Sequence, residues 1–191
     1  MKRIILTVLI LMASVGVSYA QADFAEQQKK LQESVDNVSW KNLTVDFYDV
    51  KDKAQSGYKA MTVKSTDEKN GQTFYVAKKP ILSLPDTRSM DVSYVPGDGQ
   101  MMRLMVRFNA AGQKTLADYS TANLNQMMGV VIDGKLRLVA TLRQPLTNGR
   151  VQVYGFTPEE AANVLDRYFQ PKLEAVRKFN QQMAGVKEPA K

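Results

Sequence analysis

Four pairs of asparagine or aspartate with glycine divide the middle of the chain into short segments, and they constrain its fold strongly. The pairs are Asn70-Gly71, Asp98-Gly99, Asp133-Gly134 and Asn148-Gly149. Because these dipeptides suit the central positions of tight turns, each predicts a turn next to a strand. The flanking segments alternate apolar with polar residues, as strands with one buried face do. The sequence therefore predicts several short antiparallel strands.

Helical spacing appears in three segments. Residues 23–38 form a thin amphipathic stripe, which predicts a short peripheral helix. Residues 110–128 predict a second helix, with Gly129 as its terminating glycine. A third helix is predicted to begin at Thr157-Pro158-Glu159-Glu160, where threonine at the N-cap and glutamate three residues later form a capping box. Pro171 is expected to kink or restart that helix.

Together these patterns predict an α+β fold. We expect an antiparallel β-sheet of about five or six strands, with two main helices packed on one face and a peripheral N-terminal helix. The length of 191 residues suits one domain with short appendages. We expect residues 21–70 to hold the N-terminal helix and first strands, 71–183 the main α+β domain, and 184–191 a flexible tail.

The first twenty residues are predicted to be a signal peptide. Lys2 and Arg3 precede an apolar run at residues 4–17, and small residues then allow cleavage after Ala20 or Ala22. An uncleaved membrane anchor is the alternative, but polar residues follow the small residues at once. The expected location is therefore the periplasm, with no integral membrane segment in the mature chain.

Composition excludes several classes of function. The sequence contains no cysteine and no histidine, which removes the usual ligands of zinc, copper, haem and iron–sulfur clusters and the side chain most often used as a general base. No metal site, cofactor or catalytic residue is predicted. Loss of Lys2 and Arg3 with the signal peptide would lower the formal net charge from +7 to +5. That excess is modest, and nucleic acid is not an expected partner after export.

The second half of the chain resembles a known family. The motifs are VRFNAAG at Val106 to Gly112, VVIDGKL at Val130 to Leu136 and YGFTPEEA at Tyr154 to Ala161, with TFYVAKKPILS upstream. They resemble the head subdomain of the first periplasmic domain of SecD, a translocase accessory protein of bacterial membranes. One departure is that a proline common shortly after the Asp-Gly strand is delayed here to Pro145. Nothing in this sequence resembles the membrane part of SecD, so the resemblance implies a stand-alone, exported copy of the head.

Alternation within the predicted strands suggests a surface for a partner. If the strands at 102–108, 135–142 and 150–154 pair with one another, one face of the sheet carries four arginines around a methionine and a tyrosine. Arginine, tyrosine and flexible methionine are enriched in protein interfaces. An ordinary half-solvated sheet face, or one covered by the N-terminal helix, remains the alternative interpretation. The candidate partner surface consists of Arg103, Met105, Arg107, Arg137, Arg143 and Tyr154.

The function that these features favour is a non-enzymatic periplasmic binding module. The resemblance to the SecD head implies contact with exported polypeptides or with an envelope protein partner. One alternative is a carrier of a small ligand or lipid, which needs a deep apolar cavity. Another is a hydrolase that uses Ser/Lys or paired carboxylates. Ser56-Gly57-Tyr58-Lys59 matches the S-x-x-K box of such enzymes, but the following strand pattern is wrong for it, and the match is interpreted as chance.

Overall fold

A computed structural model describes residues 21–63, 71–95 and 101–185. The predicted signal peptide, Asn70, the Asp98-Gly99 turn and most of the predicted tail lie outside these residues. The α+β class is confirmed, because antiparallel strands and separate helices make up the described chain. The strands form two sheets, of five and three strands, where the sequence led us to expect one.

Along the chain, a first helix is followed by two groups of strands, and each group ends in a helix. The helices are α1 (Gln21–Asp36), α2 (Ala110–Ala122) and α3 (Pro158–Gly185), with one 3₁₀ turn at Leu84–Asp86. The strands are β1 (Val45–Lys51), β2 (Tyr58–Val63), β3 (Gln72–Ala77), β4 (Thr87–Tyr94), β5 (Met102–Phe108), β6 (Met127–Ile132), β7 (Lys135–Thr141) and β8 (Arg150–Phe156).

The chain divides into two compact units, and the larger one, residues 39–171, holds all eight strands and α2. Its five-stranded sheet has the order β2-β3-β1-β6-β7, and its three-stranded sheet has the order β4-β5-β8. The predicted hairpins β2–β3, β4–β5 and β6–β7 are confirmed. At the β6–β7 turn, Asp133 and Gly134 both take positive φ angles, of 49° and 75°, as such a two-residue turn requires.

The centre of the five-stranded sheet is buried on both faces, while much of its edge strands β2 and β7 is exposed. One face sends Phe47 and Val130 into the main core, where α2, α3 and the three-stranded sheet meet it. The opposite face carries a second apolar cluster that includes Val50 and Val131. The sheet also curls, because its two edge strands, β2 and β7, come into contact. Curling lets a single sheet enclose the second cluster between its own strands.

The three-stranded sheet buries only one face. In its central strand β5, the residues Met102, Leu104, Val106 and Phe108 are buried, and the residues between them are half-buried. The ring of Phe108 meets that of Phe47 edge-on at 5.0 Å, which joins the two sheets through the main core. The alternation predicted from the sequence of this strand is confirmed.

The second helix is shorter than the sequence suggested. It ends at Ala122, and the predicted end at Gly129 is wrong. Asn125 takes a positive φ of 65° and turns the chain, and Gly129 lies inside strand β6. A Cβ atom on residue 129 would lie 2.6 Å from Val50 Cγ2. Glycine is therefore favoured here because the side chains of Val50 and Leu136 fill the space that a Cβ would take, not because a helix ends.

The last helix starts as predicted. The Glu160 backbone N–H donates to Thr157 Oγ1 at 3.2 Å, and the Thr157 N–H donates to Glu160 Oε2 at 3.1 Å. These reciprocal bonds confirm the capping box. The helix then continues through Pro171 to Gly185 as one element, so of the two expected effects of Pro171 the restart is wrong, and the kink stays a prediction.

The smaller unit contains α1 and the part of α3 that follows Pro171. Leu31 and Val35 of α1 are half-buried while the residues between them are exposed. Phe179 of α3 is buried. The thin apolar stripe predicted for the first helix is therefore present in its described part.

Candidate functional site: the outer face of the three-stranded sheet

The half-buried side of the three-stranded sheet gathers most of the sequence-predicted surface. We call it the outer face, and the alternation and register of the three strands define its members. They are Ser89, Asp91 and Ser93 of β4, Arg103, Met105 and Arg107 of β5, and Arg150, Gln152 and Tyr154 of β8. Of the six predicted residues, the structure brings four together here: Arg103, Met105, Arg107 and Tyr154.

Hydrogen bonds fix one end of the outer face. Arg103 Nε donates to Ser93 Oγ at 2.8 Å, and its Nη1 lies 3.4 Å from Gln152 Oε1. The hydroxyl of Tyr154 donates to the same Gln152 oxygen at 2.5 Å. The guanidinium is thereby tied to both neighbouring strands, which limits the number of conformations that Arg103 and Tyr154 can adopt. A partner would meet them already positioned.

An ion pair fixes the other end. Arg107 Nη1 bonds to Asp91 Oδ2, and the two side chains are 36% and 49% exposed. Pairs this exposed contribute only about 0–1 kcal/mol to stability. The outer face still favours particular partner groups. Arg103 and Arg107 each keep guanidinium N–H groups that can donate to a carbonyl or carboxylate of a partner.

Apolar atoms lie between these polar groups. Met105 is half-buried and sits in register between Asp91 and Gln152. Tyr154 is 46% exposed. A flexible methionine on the same face as an exposed aromatic ring is a composition suited to contact with varied partners.

The other two predicted residues are elsewhere. The predicted face depended on β5 pairing with β7, but β5 pairs with β4 and β8, and β7 belongs to the five-stranded sheet. Arg137 of β7 bonds to Glu160 at 3.0 Å and lies 4.8 Å above the ring of Phe156. Arg143 follows β7 in an exposed segment. Alternation predicts the side of a strand on which a residue lies, but it does not predict which strands are neighbours.

A charged cleft of about 320 Å³ lies at the start of α3. Arg137 bridges to Glu160 on one side, and Arg167 bridges to Asp133 at 2.7 Å on the other. Burial acts to raise the pKa of Glu160, but the bonds from Arg137 and the Thr157 N–H outweigh it and lower that pKa overall. These charges are satisfied by one another and by the helix start. The arrangement holds α3 to the β6–β7 hairpin.

A second polar cluster lies where β1, β2 and α2 meet. Asp49 accepts hydrogen bonds from the hydroxyls of Tyr58 and Tyr119, the latter at 3.0 Å, and Lys51 Nζ lies 3.1 Å away. Burial and the negative charge of Asp49 raise the pKa of Tyr119, and the hydrogen bond to Asp49 raises the pKa of Tyr58. A tyrosine that abstracts protons near neutral pH needs a lowered pKa. The cluster is thus suited to joining elements, not to proton abstraction.

Sequence reasoning missed both polar clusters, and it missed Asp91 as the partner of Arg107. The last could have been found, since the β4–β5 hairpin was predicted and its register places Asp91 next to the arginines. Within residues 21–63, 71–95 and 101–185, no three Asp or Glu side chains gather in a way that could hold a metal ion. In the same ranges, no helix combines the length and apolarity needed to cross a bilayer.

Comparison with known proteins identifies a relationship over most of the larger unit. The family described as the SecDF P1 head subdomain matches residues 59–167. The protein translocase subunit SecD of Treponema pallidum (strain Nichols) is 28% identical over 114 residues, covering 58% of this chain and 19% of that protein. The chain thus spans about a fifth of the length of the curated relative it matches.

Solved structures share the fold. The structure of a membrane component SecDF that enhances protein export superposes with a TM-score of 0.50 at 16% identity, covering 79% of this chain and 69% of that one. A second, of SecDF in a super-membrane-facing form, gives the same TM-score and identity and covers 79% of this chain and 21% of that one. At this identity, the likeness shows the fold alone.

Proposed function

Because the chain belongs to the SecDF P1 head subdomain family, we propose that it is a non-enzymatic binding module that contacts polypeptides during their export. It acts in the periplasm after removal of a signal peptide that ends at Ala20 or Ala22. The observation that carries the proposal is the outer face, where Arg103, Met105, Arg107 and Tyr154 stand half-exposed on a sheet whose other side is core.

The chemistry of the outer face supports a polypeptide as the partner. Backbone carbonyls and carboxylates are acceptors, and Arg103 and Arg107 keep guanidinium donors beyond those used within the sheet. Met105 and Tyr154 offer apolar area that does not demand one particular shape. A module that meets many exported chains needs such tolerance, because their sequences differ.

The role of a structural relative supports the setting. The SecDF that shares this fold is a membrane component that enhances protein export. The present chain covers only part of SecDF proteins, so we transfer to it contact with exported chains and no further step of the translocase.

Site-specific photo-crosslinking in living cells tests the proposal. A photoreactive amino acid replaces Met105 or Tyr154 in the full chain, and Leu124, which is 42% exposed beyond α2, serves as the matched control position. Pulse-labelled exported polypeptides should appear as adducts of residues 105 and 154, about fivefold or more above residue 124, and should vanish when export is blocked.

The same experiment can refute the proposal. Adducts of equal yield at all three positions would show that the outer face is not a preferred surface. An absence of exported polypeptides from the adducts of residues 105 and 154, under conditions that trap them on a periplasmic chaperone, would contradict the function.

A further inference from the structure

The edges of the two sheets differ in how they are protected. In the five-stranded sheet, the edge strands β2 and β7 contact each other. In the three-stranded sheet, part of β8 lies close to β7, although the two strands do not pair. The strand β4 pairs with β5 on one side, and among the described residues no strand pairs with its other side. An unpaired strand edge presents a row of N–H and C=O groups that can pair with another chain.

Two hydrogen bonds reveal which residues of β4 present those groups. The Val95 N–H donates to Met101 O at 3.1 Å. In an antiparallel pair every second residue bonds to the same neighbouring strand, so Ser93, Asp91 and Ser89 also bond to β5. The Phe108 N–H donates to Gly149 O, so Phe108 and every second residue before it in β5 bond to β8. The residues of β5 between them are then the ones that bond to β4, which agrees with the first hydrogen bond. The backbone groups of Met90, Val92 and Tyr94 therefore point away from the sheet.

The edge is closed as far as Met90, which is only 2% exposed, and it is open at Val92 and Tyr94. The hydroxyl of Tyr168 lies 3.3 Å from the Arg88 carbonyl, which also points away from β5. The pairing register shifts between Thr87 and Ser89. Beyond them, residues 90–94 contain neither proline nor lysine, the residues that usually guard an edge strand.

We propose that an extended segment of a polypeptide adds to β4 as a fourth strand, with its backbone bonded to that of Val92 and Tyr94. This inference rests on the proposed function and names the way in which the exported chain is held. Backbone hydrogen bonds do not depend on side-chain identity, which suits a partner of variable sequence. Side chains on one side of the added strand would continue the outer face. Side chains on its other side would lie beside those of Val92 and Tyr94. Segments that alternate polar with apolar residues should therefore bind best.

Amide hydrogen exchange followed by NMR tests the added strand directly. The probe is reduced, carboxymethylated α-lactalbumin, which stays unfolded, added to the purified protein at saturation. The amides of Val92 and Tyr94 should exchange about tenfold or more slowly in the complex. The amides of Ser89, Asp91 and Ser93 are internal controls, because their bonds to β5 exist with or without the probe.

A proline at position 92 provides the matching variant. The Val92 N–H points away from β5, so Val92→Pro removes a donor from the open edge without removing a bond within the sheet. The matched control, Val92→Ala, keeps that N–H. We expect Val92→Pro to weaken binding of the probe about tenfold and Val92→Ala by less than about threefold. If Val92→Pro does not fold, as judged by circular dichroism, Tyr94→Pro at the exposed end of the strand replaces it.

Each other outcome overturns a distinct statement. Binding without slower exchange at the amides of Val92 and Tyr94, with full affinity in the proline variant and loss in Tyr154→Ala, would overturn strand addition but leave the proposed function intact. No binding of the unfolded probe by the parent protein would overturn both. Slower exchange at high protein concentration without the probe, together with a dimer in sedimentation, would show that the occupant of the edge is a second copy of this chain.

Discussion

The inner strand β6 of the five-stranded sheet is buried on both of its sides, whereas the three-stranded sheet buries one face and leaves the other half-exposed. In β6, the adjacent residues Val130 and Val131 are 0% and 3% exposed and lie in different apolar clusters. In β5, Val106 is fully buried while its neighbour Arg107 lies on the outer face. A strand buried on both sides has no position left for a partner. The three-stranded sheet can carry binding residues because one side of it is not needed for the core.

The largest expected effect tests the tight packing of the five-stranded sheet. Gly129→Val places a Cβ 2.6 Å from Val50 Cγ2 and 3.0 Å from Leu136 Cδ1. Overpacking of this kind should lower the free energy of unfolding by about 3 kcal/mol, measured by urea denaturation. Ser89→Val introduces valine at a half-buried position of the outer face and should change the free energy of unfolding by less than about 0.5 kcal/mol. Equal effects of the two valines would remove the distinction between the sheets.

A smaller effect tests the two faces residue by residue. Val130→Ala and Val131→Ala should each lower the free energy of unfolding by about 2 kcal/mol, because each deletes buried methyl groups. In β5, Val106→Ala should cost about as much, while Arg107→Ala should cost less than about 1 kcal/mol, because its ion pair is exposed.

Along β5, the loss of unfolding free energy should be large at residue 106 and small at residue 107. Along β6, it should be equally large at residues 130 and 131. Thermal or urea unfolding of the four variants measures it. A cost for Arg107→Ala as large as that for Val106→Ala would mean that the outer face is part of the structural core. The interpretation of that face as a binding surface would then lose its basis.

Local features of the fold were readable from the sequence. The β6–β7 turn, the capping box at Thr157 and the alternation in β5 each depend on residues close together in the chain, and each was predicted correctly. Gly129 was misread because a glycine after a helical pattern usually ends a helix. Its real constraint comes from Val50, far away in sequence.

The candidate surface was predictable only in part for the same reason. Met105 and Arg107 could be placed on one side of their strand, and Tyr154 on one side of another. Whether β5 meets β7 or β8 depends on pairing between distant segments, which alternation does not encode. The open edge of β4 could not be predicted from the sequence either, because it depends on how all the strands pair with one another.

The smallest expected effect concerns the cluster that joins β1 to α2. Burial and Asp49 raise the pKa of Tyr119 above its usual value of 10.0. Because the folded state holds this proton more tightly than the unfolded state, the contribution to stability is complete below pH 10. It is lost as the pH rises from about 10 toward the folded-state pKa. The free energy of unfolding should therefore fall above pH 10.

Tyr119→Phe should make that fall shallower, by about 1 kcal/mol or less at pH 11, because the site is half-buried and screened by solvent. Urea denaturation at pH 9, 10 and 11 measures the slope for the parent protein and the variant. Tyr94→Phe, which removes an exposed hydroxyl from the three-stranded sheet, controls for the loss of a tyrosine as such. If both variants change the pH dependence of the unfolding free energy equally, the contact with Asp49 does not make Tyr119 behave differently from a surface tyrosine. The polar contacts of the five-stranded sheet would then be no more sheltered than those of the outer face.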